Sequence, residues 1–98
     1  MDTADRAADV MRRPGAYNLR NLEQALAFFD GFDAATGFSF LDGFGEWLSR
    51  NGGDGPNLTW NYQAPQVVTR RLGGEAGDEE RRDEFFRLVR AFLGTAAG

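Results

Sequence analysis

The sequence predicts an all-α fold, an irregular bundle of four or five short helices in a single domain over residues 1–98. Three observations support this prediction. Several segments carry apolar residues at the three- and four-residue spacing of an amphipathic helix. A chain of 98 residues can form one core but not two. Nine residues are Phe and 42% of the chain is hydrophobic, so we expect a core built largely of Phe side chains.

The first predicted helix covers residues 1–12 and is weak, because few apolar residues give it a buried face. These residues are Ala7, Val10 and Met11. A turn is expected at residues 13–16. Pro14 presets the backbone of the first central turn residue, and Gly15 tolerates the positive φ that a type II turn needs next. The chain should therefore change direction here.

The second predicted helix begins after Asn21. Asn21 and Gln24 are spaced as an N-cap pair, and Gly37 is a typical helix end. The apolar residues between them repeat at helical spacing: Leu22, Ala25, Leu26, Phe28, Phe29 and Phe32. An apolar surface this wide predicts a mostly buried helix.

The third predicted helix starts at residues 39–42, a Ser-Phe-Leu-Asp stretch that fits a capping box. In such a box the hydroxyl and the carboxylate bond the N–H groups that a helix start leaves free. The apolar face should include Phe44, Trp47 and Leu48. Residues 51–53, Asn-Gly-Gly, should end the helix, and a loop is expected over 52–57.

The segment over residues 58–72 supports two interpretations. Its first half alternates apolar and polar residues as a short strand does, whereas its second half has helical spacing. Proline suits the first turn of a helix and destabilises a helix interior. We therefore predict a helix over 65–72 with Pro65 in its first turn, preceded by an extended or single-turn stretch.

The last predicted helix begins at Asp78, because acidic residues lie at its start and arginines toward its end, as the helix dipole favours. Asp83 and Arg87 are spaced for an ion pair on its exposed side. Residues 94–98 are expected to form a frayed tail. Across the whole chain, the core should centre on Phe29, Phe44, Trp47, Phe85, Val89 and Phe92.

The missing residue types exclude several chemistries. The chain has no Cys and no His, which excludes thiolate nucleophiles, disulfides, imidazole bases and Cys/His metal sites. Its neighbouring acids lack the ligand spacing of a calcium loop, so we expect neither metal nor cofactor. No apolar stretch approaches the roughly 20 residues of a membrane span, and no secretion signal is visible. We expect a cytoplasmic chain with no membrane partner.

Charge is distributed unevenly along the chain. The net charge is -4, yet residues 21–49 contain five acids and no arginine, so this segment carries -5 and the remainder +1. A negative surface repels nucleic-acid phosphates, so we expect no nucleic-acid partner. It attracts a basic protein, and aromatic rings beside it can hold the complex. The residues expected to contact that partner are Asp30, Asp33, Asp42, Glu46 and Trp47.

An ordered set of motifs runs from residue 12 to residue 93. It consists of Arg-Pro-Gly-Ala-Tyr at 13–17, Asp-Gly-Phe-Asp-Ala-Ala at 30–35, Leu-Asp-Gly-Phe-Gly-Glu-Trp-Leu at 41–48, Asn-Leu-Thr-Trp at 57–60 and a last helix that ends in Ala-Phe-Leu at 91–93. The set resembles a group of short bacterial proteins, frequent in actinomycetes, with an Arg-Pro-Gly-Met-Tyr start and a Phe/Glu-Trp-Leu helix. This sequence departs from the pattern at Ala16, where Met is usual, and at Asn18, where Gly is usual. The resemblance implies an immunity-type role, in which the protein neutralises a toxin of neighbouring bacteria.

Three functions are compatible with these observations. The first is a small acidic inhibitor, not an enzyme, that binds a basic protein such as a toxin or enzyme. The second is a structural module that associates with itself, for example as a homodimer, through exposed aromatic residues. The third is a small hydrolase that uses paired carboxylates such as Asp42 and Glu46, which lie four residues apart on one predicted helical face.

Overall fold

Five α-helices and no strand are present among the residues that the computed structural model describes, which are 2–53, 55 and 58–97. In chain order they are α1 (Thr3–Arg12), α2 (Leu22–Ala35), α3 (Phe44–Arg50), α4 (Trp60–Leu72) and α5 (Asp78–Ala97). The helices enclose one hydrophobic core. The prediction of an all-α single globule is therefore confirmed. None of these described helices is both long enough and apolar enough to cross a bilayer.

The core forms along α5, which packs against α2, α3 and α4. Five of the six predicted core residues are buried: Phe29, Phe44, Phe85, Val89 and Phe92. The ring centroids of Phe29 and Phe85 lie 5.9 Å apart, and those of Phe44 and Phe92 lie 5.1 Å apart. The sixth residue, Trp47, is only half-buried and stacks on Phe44 with centroids 6.1 Å apart. It belongs to the margin of the core and not to its interior.

The first helix forms as predicted, but the turn after it differs. The Asp2 carboxylate accepts the N–H of Asp5 at 2.8 Å and so caps α1, whose buried residues include Ala7, Val10 and Met11. The following residues, Pro14–Tyr17, form one 3₁₀ turn instead of a type II turn. The positive φ falls at Asn18, at 59°, and not at Gly15. The turn closes there because the Asn18 N–H bonds back to the carbonyl of Gly15 at 3.2 Å.

The two ends of α2 follow the sequence signals. At its start the Asn21 side chain accepts the Gln24 N–H at 2.8 Å, which confirms the N-cap. At its end Gly37 has a φ of 68°, and its N–H bonds the carbonyl three residues earlier at 3.0 Å. The Phe38 N–H then bonds the Asp33 carbonyl at 2.8 Å. This pair of bonds satisfies the last carbonyl groups of the helix, as a left-handed C-terminal residue allows.

The third helix begins at Phe44, so the capping box predicted at 39–42 is wrong. The Ser39 hydroxyl donates backward to the Thr36 carbonyl at 2.7 Å and does not bond the following helix. The Thr36 hydroxyl oxygen also accepts the Phe40 N–H at 3.2 Å. Thr36, at the end of α2, therefore forms the hydrogen bonds of Ser39 and Phe40, and α3 starts only after these residues.

The third helix ends at Arg50, as predicted from the Asn-Gly-Gly stretch. The Asn51 N–H bonds the Leu48 carbonyl at 3.0 Å, and Gly52 has a φ of 111°. Of the loop expected over 52–57, residues 54, 56 and 57 lie outside the described residues.

The fourth helix begins at Trp60, so the predicted start at Pro65 is wrong. Its buried positions have helical spacing from the first residue onward: Trp60, Gln63, Ala64, Val67 and Val68. Pro65 lies inside the helix and offers no N–H to the carbonyl of Asn61, one turn earlier. Because Asn61 is exposed, water can bond that carbonyl and reduce the cost. Burial of the apolar stripe thus decides where the helix starts.

The last helix is longer than predicted. It continues through Ala97, whereas the sequence predicted a frayed tail from residue 94 onward; Gly98 lies outside the described residues. The predicted pair between Asp83 and Arg87 is also wrong. Arg87 bonds the buried Glu84, and Asp83 pairs with Arg82 at 2.9 Å. The alternation of acids and arginines allowed either pairing, and the burial of Glu84 decides between them.

Candidate functional site

The structure separates the five residues that the sequence assigned to a partner surface. Asp42 and Glu46 are exposed and line one cavity. Asp30 is exposed on α2 but does not line that cavity. Asp33 is buried, and Trp47 is half-buried beside the core. Two of the five residues therefore define a common site.

We call this site the acidic cavity. Its volume is about 310 Å³, and it is lined by Phe38, Leu41, Asp42, Gly43, Gly45, Glu46, Leu58, Thr59 and Trp60. The lining comes from the α2–α3 connection, the first turn of α3 and the segment that enters α4. It includes two carboxylates and no arginine. The cavity is therefore negative on one part of its wall and apolar on the rest.

Asp33 supports the cavity from beneath instead of facing a partner. Its carboxylate accepts the Leu41 N–H at 2.8 Å in a buried environment. Its backbone carbonyl accepts the Phe38 N–H at 2.8 Å. Asp33 thus fixes both Phe38 and Leu41, at the start and the end of the segment that precedes Asp42. The prediction that Asp33 belongs to the exposed acidic surface is wrong. Its carboxylate is buried and accepts a backbone N–H of the α2–α3 connection.

Phe38 is the most unusual residue of the cavity. It is not a glycine, yet its φ is 62°, and its side chain is 66% exposed. A bulky residue in the left-handed region is an outlier that the surrounding structure must stabilise. Phe38 was not among the contact residues predicted from the sequence. The available signal was its place directly after Gly37, where the Schellman-type helix end fixes the backbone and turns the ring outward.

A buried amide joins the two sides of the cavity. The Gln63 side chain is fully buried, and its Nε2 donates to the Gly45 carbonyl at 3.0 Å and to the Leu58 carbonyl at 2.8 Å. The Ser49 hydroxyl donates to its Oε1 at 3.1 Å. Gly45 permits this approach, since a Cβ there would lie 3.1 Å from the Leu58 carbonyl oxygen. The α3 wall and the residues leading into α4 are therefore held together by one side chain of α4.

The floor of the cavity is continuous with the hydrophobic core. Trp60 lines the cavity and is nevertheless buried. Its ring stacks on Phe85 of α5 with an interplanar angle of 12° and centroids 6.0 Å apart. Phe44 lies 5.8 Å from it on the α3 side. The cavity wall at Trp60 is therefore held in place, because the Trp60 ring is packed on the core side.

A second polar cluster explains the Arg-Pro-Gly-Ala-Tyr motif. The buried Asp9 carboxylate accepts two hydrogen bonds from Arg13, at 2.7 and 3.1 Å, and one each from Tyr17 and Arg12, both at 2.7 Å. These bonds, with Arg13 first, hold the pKa of Asp9 far below its usual value. The same contact raises the pKa of Tyr17 above 10.0. The motif therefore orders the turn between α1 and α2.

The chemistry of the acidic cavity suits a cationic group with an apolar neighbour. Two exposed carboxylates can each accept hydrogen bonds from a guanidinium or ammonium group. Phe38, Leu58 and Trp60 offer apolar surface next to them. The fold and this site together define a small all-α domain with an acidic, aromatic-lined cavity. The chain gives no match to a protein-family model, to a curated protein or to a solved structure.

Proposed function

We propose that this chain is a small binding protein of the immunity type, which inhibits a basic protein by holding it at the acidic cavity. The observation that carries the proposal is Phe38, an exposed ring in a left-handed backbone beside two carboxylates. At 66% exposure the ring contributes little to the core, so it is available for a contact with another molecule.

The expected contact combines charge with apolar burial. An arginine or lysine of the partner enters the cavity and bonds Asp42 and Glu46, while its aliphatic stem lies on the aromatic floor. Phe38 and Leu58, both exposed at the cavity, then lose their contact with water. Buried aromatic anchors of this kind supply much of the binding free energy in protein complexes.

The electrostatics of the chain favour the same type of partner. Residues 21–49 carry -5 without any arginine, and the cavity lies at the C-terminal half of that segment. A partner with a basic surface is steered toward it, which raises the association rate at low salt. The resemblance to short bacterial proteins of the immunity type supports a toxin or enzyme as that partner.

Self-association is the second candidate function. Phe38 and Tyr62 are large apolar residues with 66% and 54% exposure, and exposed rings of this kind can pair between two copies. Size-exclusion chromatography with light scattering distinguishes the two functions: a stable dimer at low concentration favours self-association, and a monomer favours a foreign partner. The third hypothesis, a hydrolase based on Asp42 and Glu46, stays a prediction.

The binding proposal is tested by capture followed by kinetics. The wild-type chain is immobilised and exposed to an extract of the source organism, beside two cavity variants, Phe38→Gly and the double variant Asp42→Asn/Glu46→Gln. The control is Asp5→Asn/Glu75→Gln, which removes the same two charges from exposed positions outside the cavity and outside residues 21–49. We expect one basic protein to be captured by the wild type and the control and lost with both cavity variants.

The purified partner then provides the quantitative test. Its activity should be inhibited by the wild-type chain, and its association rate should fall as salt rises from about 50 to 500 mM, where the screening length shortens. The double cavity variant should show a slower rate and a weaker salt dependence. Equal binding by the cavity variants, or an equal loss with the control, contradicts the assignment of the partner to this cavity.

A further inference from the structure

Four arginines line a second cavity, which we call the arginine cavity. Its volume is about 450 Å³, and its lining residues are Met11, Arg12, Pro14, Arg82, Asp83, Phe86, Arg87 and Arg90. They come from the end of α1, the 3₁₀ turn and the first half of α5. No lining residue is shared with the acidic cavity. Four arginines around one space repel one another, and the carboxylates that they bond balance only part of this charge.

At the α1 side, arginines outnumber the carboxylate that they bond. Arg12 and Arg13 both pair with Asp9, each at 2.7 Å. Arg13 makes the bidentate contact, whereas Arg12 donates a single bond and its side chain remains largely exposed. One negative charge cannot neutralise two guanidinium groups. The Arg12 side of the arginine cavity therefore keeps a positive excess and unused N–H donors.

The α5 side repeats this imbalance. Glu84, which is buried, pairs both with Arg87 and with Arg71, the latter at 3.6 Å. Arg90 is one helical turn after Arg87, and among the described residues it makes no ion pair. Like charges at this spacing destabilise a helix unless something between them is negative. Among the residues described, Arg90 therefore adds an unpaired positive charge to the cavity, beside Arg87, which shares one carboxylate with Arg71.

Arg82 shows that the cavity is partly ordered before any ligand enters. Its side chain is only 12% exposed, and it is held by the Leu19 carbonyl at 2.9 Å and by Asp83. An arginine fixed in this way loses little conformational freedom when it binds a ligand. Asp83 is the one carboxylate in the lining, and it is paired with Arg82.

We propose that the arginine cavity binds a small ligand with two or more linked phosphate groups. A guanidinium group can donate two parallel hydrogen bonds to one phosphate. Several arginines around one space therefore suit a ligand with several phosphates better than a ligand with a single carboxylate. The cavity volume exceeds what a single phosphate needs. The net charge of -4 opposes a long nucleic acid, whose phosphates extend along the whole surface, but acts less on a compact anion held among arginines. This site is independent of the acidic cavity.

Isothermal titration calorimetry with inorganic triphosphate, diphosphate and monophosphate tests the proposal at low ionic strength. We expect affinity to fall in that order. The double variant Arg87→Gln/Arg90→Gln should bind triphosphate about tenfold or more weakly, as the loss of charge-assisted hydrogen bonds implies. The control Arg20→Gln/Arg50→Gln removes the same charge from exposed positions outside the cavity and should bind as the wild type does. Circular dichroism verifies that each variant is folded.

Four results would overturn the proposal. One is the absence of measurable heat with triphosphate at millimolar concentration. Another is an equal loss of affinity in the control, which makes the effect one of net charge. A third is tighter binding of a single-stranded oligonucleotide than of triphosphate, which identifies a nucleic-acid surface. The last is a wild-type chain that forms a dimer while the Arg87→Gln/Arg90→Gln variant is a monomer. That result would mean that the acidic cavity of a second copy occupies the arginine cavity.

Discussion

The left-handed backbone of Phe38 lowers the free energy of unfolding of the chain, and its exposed ring does little to offset this. A left-handed φ costs an L-residue about 1–2 kcal/mol relative to the usual regions. The ring, at 66% exposure, recovers little of this through burial. Gly37 before it also has a positive φ, so two consecutive left-handed residues direct the chain from α2 toward the acidic cavity.

The substitution Phe38→Gly separates stability from binding. Glycine adopts a positive φ without strain, so we expect the free energy of unfolding to stay unchanged or to rise by about 1 kcal/mol. Binding of the partner should be lost at the same time, because the ring is removed. Urea unfolding followed by circular dichroism gives the first quantity, and the capture experiment gives the second. A clear loss of stability would mean that the ring supports the fold.

Asp9 makes stability depend on pH in a defined direction. Its folded-state pKa is lowered, chiefly by Arg13, so the ionised form favours the folded chain. That contribution is complete well above the unfolded pKa of 3.8 and is lost as the pH falls below it. Tyr17 acts in the opposite range: its raised pKa favours the folded chain below pH 10.0 and ceases to do so as the pH rises further.

The substitution Asp9→Asn tests this linkage. We expect a lower melting temperature at neutral pH, because Arg12, Arg13 and Tyr17 lose the charged acceptor of their hydrogen bonds. The difference from the wild type should shrink as the pH falls from about 4 to about 2, because in that range Asp9 takes up a proton in the unfolded wild-type chain before it does so in the folded chain. Thermal unfolding across that pH range measures it. A difference that stays constant with pH would show that packing, and not ionisation, gives Asp9 its role.

At the scale of elements, α3 and α4 form one unit through Gln63. The Gln63 amide bonds backbone carbonyls of α3 and of the segment before α4. The packing around it is tight, since a Cβ on Gly53 would lie 2.1 Å from its Oε1. A short helix such as α3 has little stability alone, so its position depends on this contact.

Two matched substitutions on α4 should have opposite effects. Gln63→Leu removes the donor to the Leu58 carbonyl and one donor to the Gly45 carbonyl, which the Ser49 hydroxyl also contacts, so we expect a loss of about 1–3 kcal/mol in the free energy of unfolding. Gln66→Leu removes an Oε1 that is buried without a hydrogen-bond partner among the described residues. It should leave stability unchanged or raise it by up to about 1 kcal/mol. Chemical denaturation measures both, and equal effects would contradict the assigned role of Gln63.

At the scale of the whole molecule, Phe85 connects three helices. Its ring contacts Phe29 of α2 at 5.9 Å and Trp60 of α4 at 6.0 Å, and it belongs to α5. Because the helices share this one core, the chain should unfold in a single transition. Circular dichroism and tryptophan fluorescence should therefore give the same unfolding curve.

The substitution Phe85→Ala should cost about 3–5 kcal/mol, as expected for a fully buried ring. This is a large part of the 5–15 kcal/mol that a domain of this size typically has. Both unfolding curves should shift together. If only the fluorescence curve moved, α4 would unfold separately from α2 and α5, and the description of one core would be wrong.

The sequence predicted the features that depend on near neighbours. The N-cap at Asn21, the helix end at Gly37 and the buried positions of α5 all follow from spacing within a few residues. Local rules failed before α3, where the end of the preceding helix satisfied the backbone instead. Thr36 satisfies the backbone of Phe40, so no capping box was needed before α3.

Burial overrode propensity in α4, whose apolar stripe extends the helix back to Trp60 despite Pro65. The acidic cavity was predictable only in part. Asp42 and Glu46 share a short segment, and their charge was visible in the sequence. Leu58 and Trp60 lie beside them because of contacts such as that of Gln63 with Gly45, eighteen positions apart, which composition and spacing do not reveal.

The position of Trp60 gives the molecule an internal optical reporter. Trp60 is one of the residues that line the acidic cavity, and its ring plane stacks on Phe85 in the core. Emission from a tryptophan shifts toward the blue when water is displaced from around it. A ligand that fills the cavity should therefore change the intrinsic fluorescence of the chain without a label. The second emitter, Trp47, can be replaced by Phe at the margin of the core, which leaves a single indole that reports occupancy of the cavity.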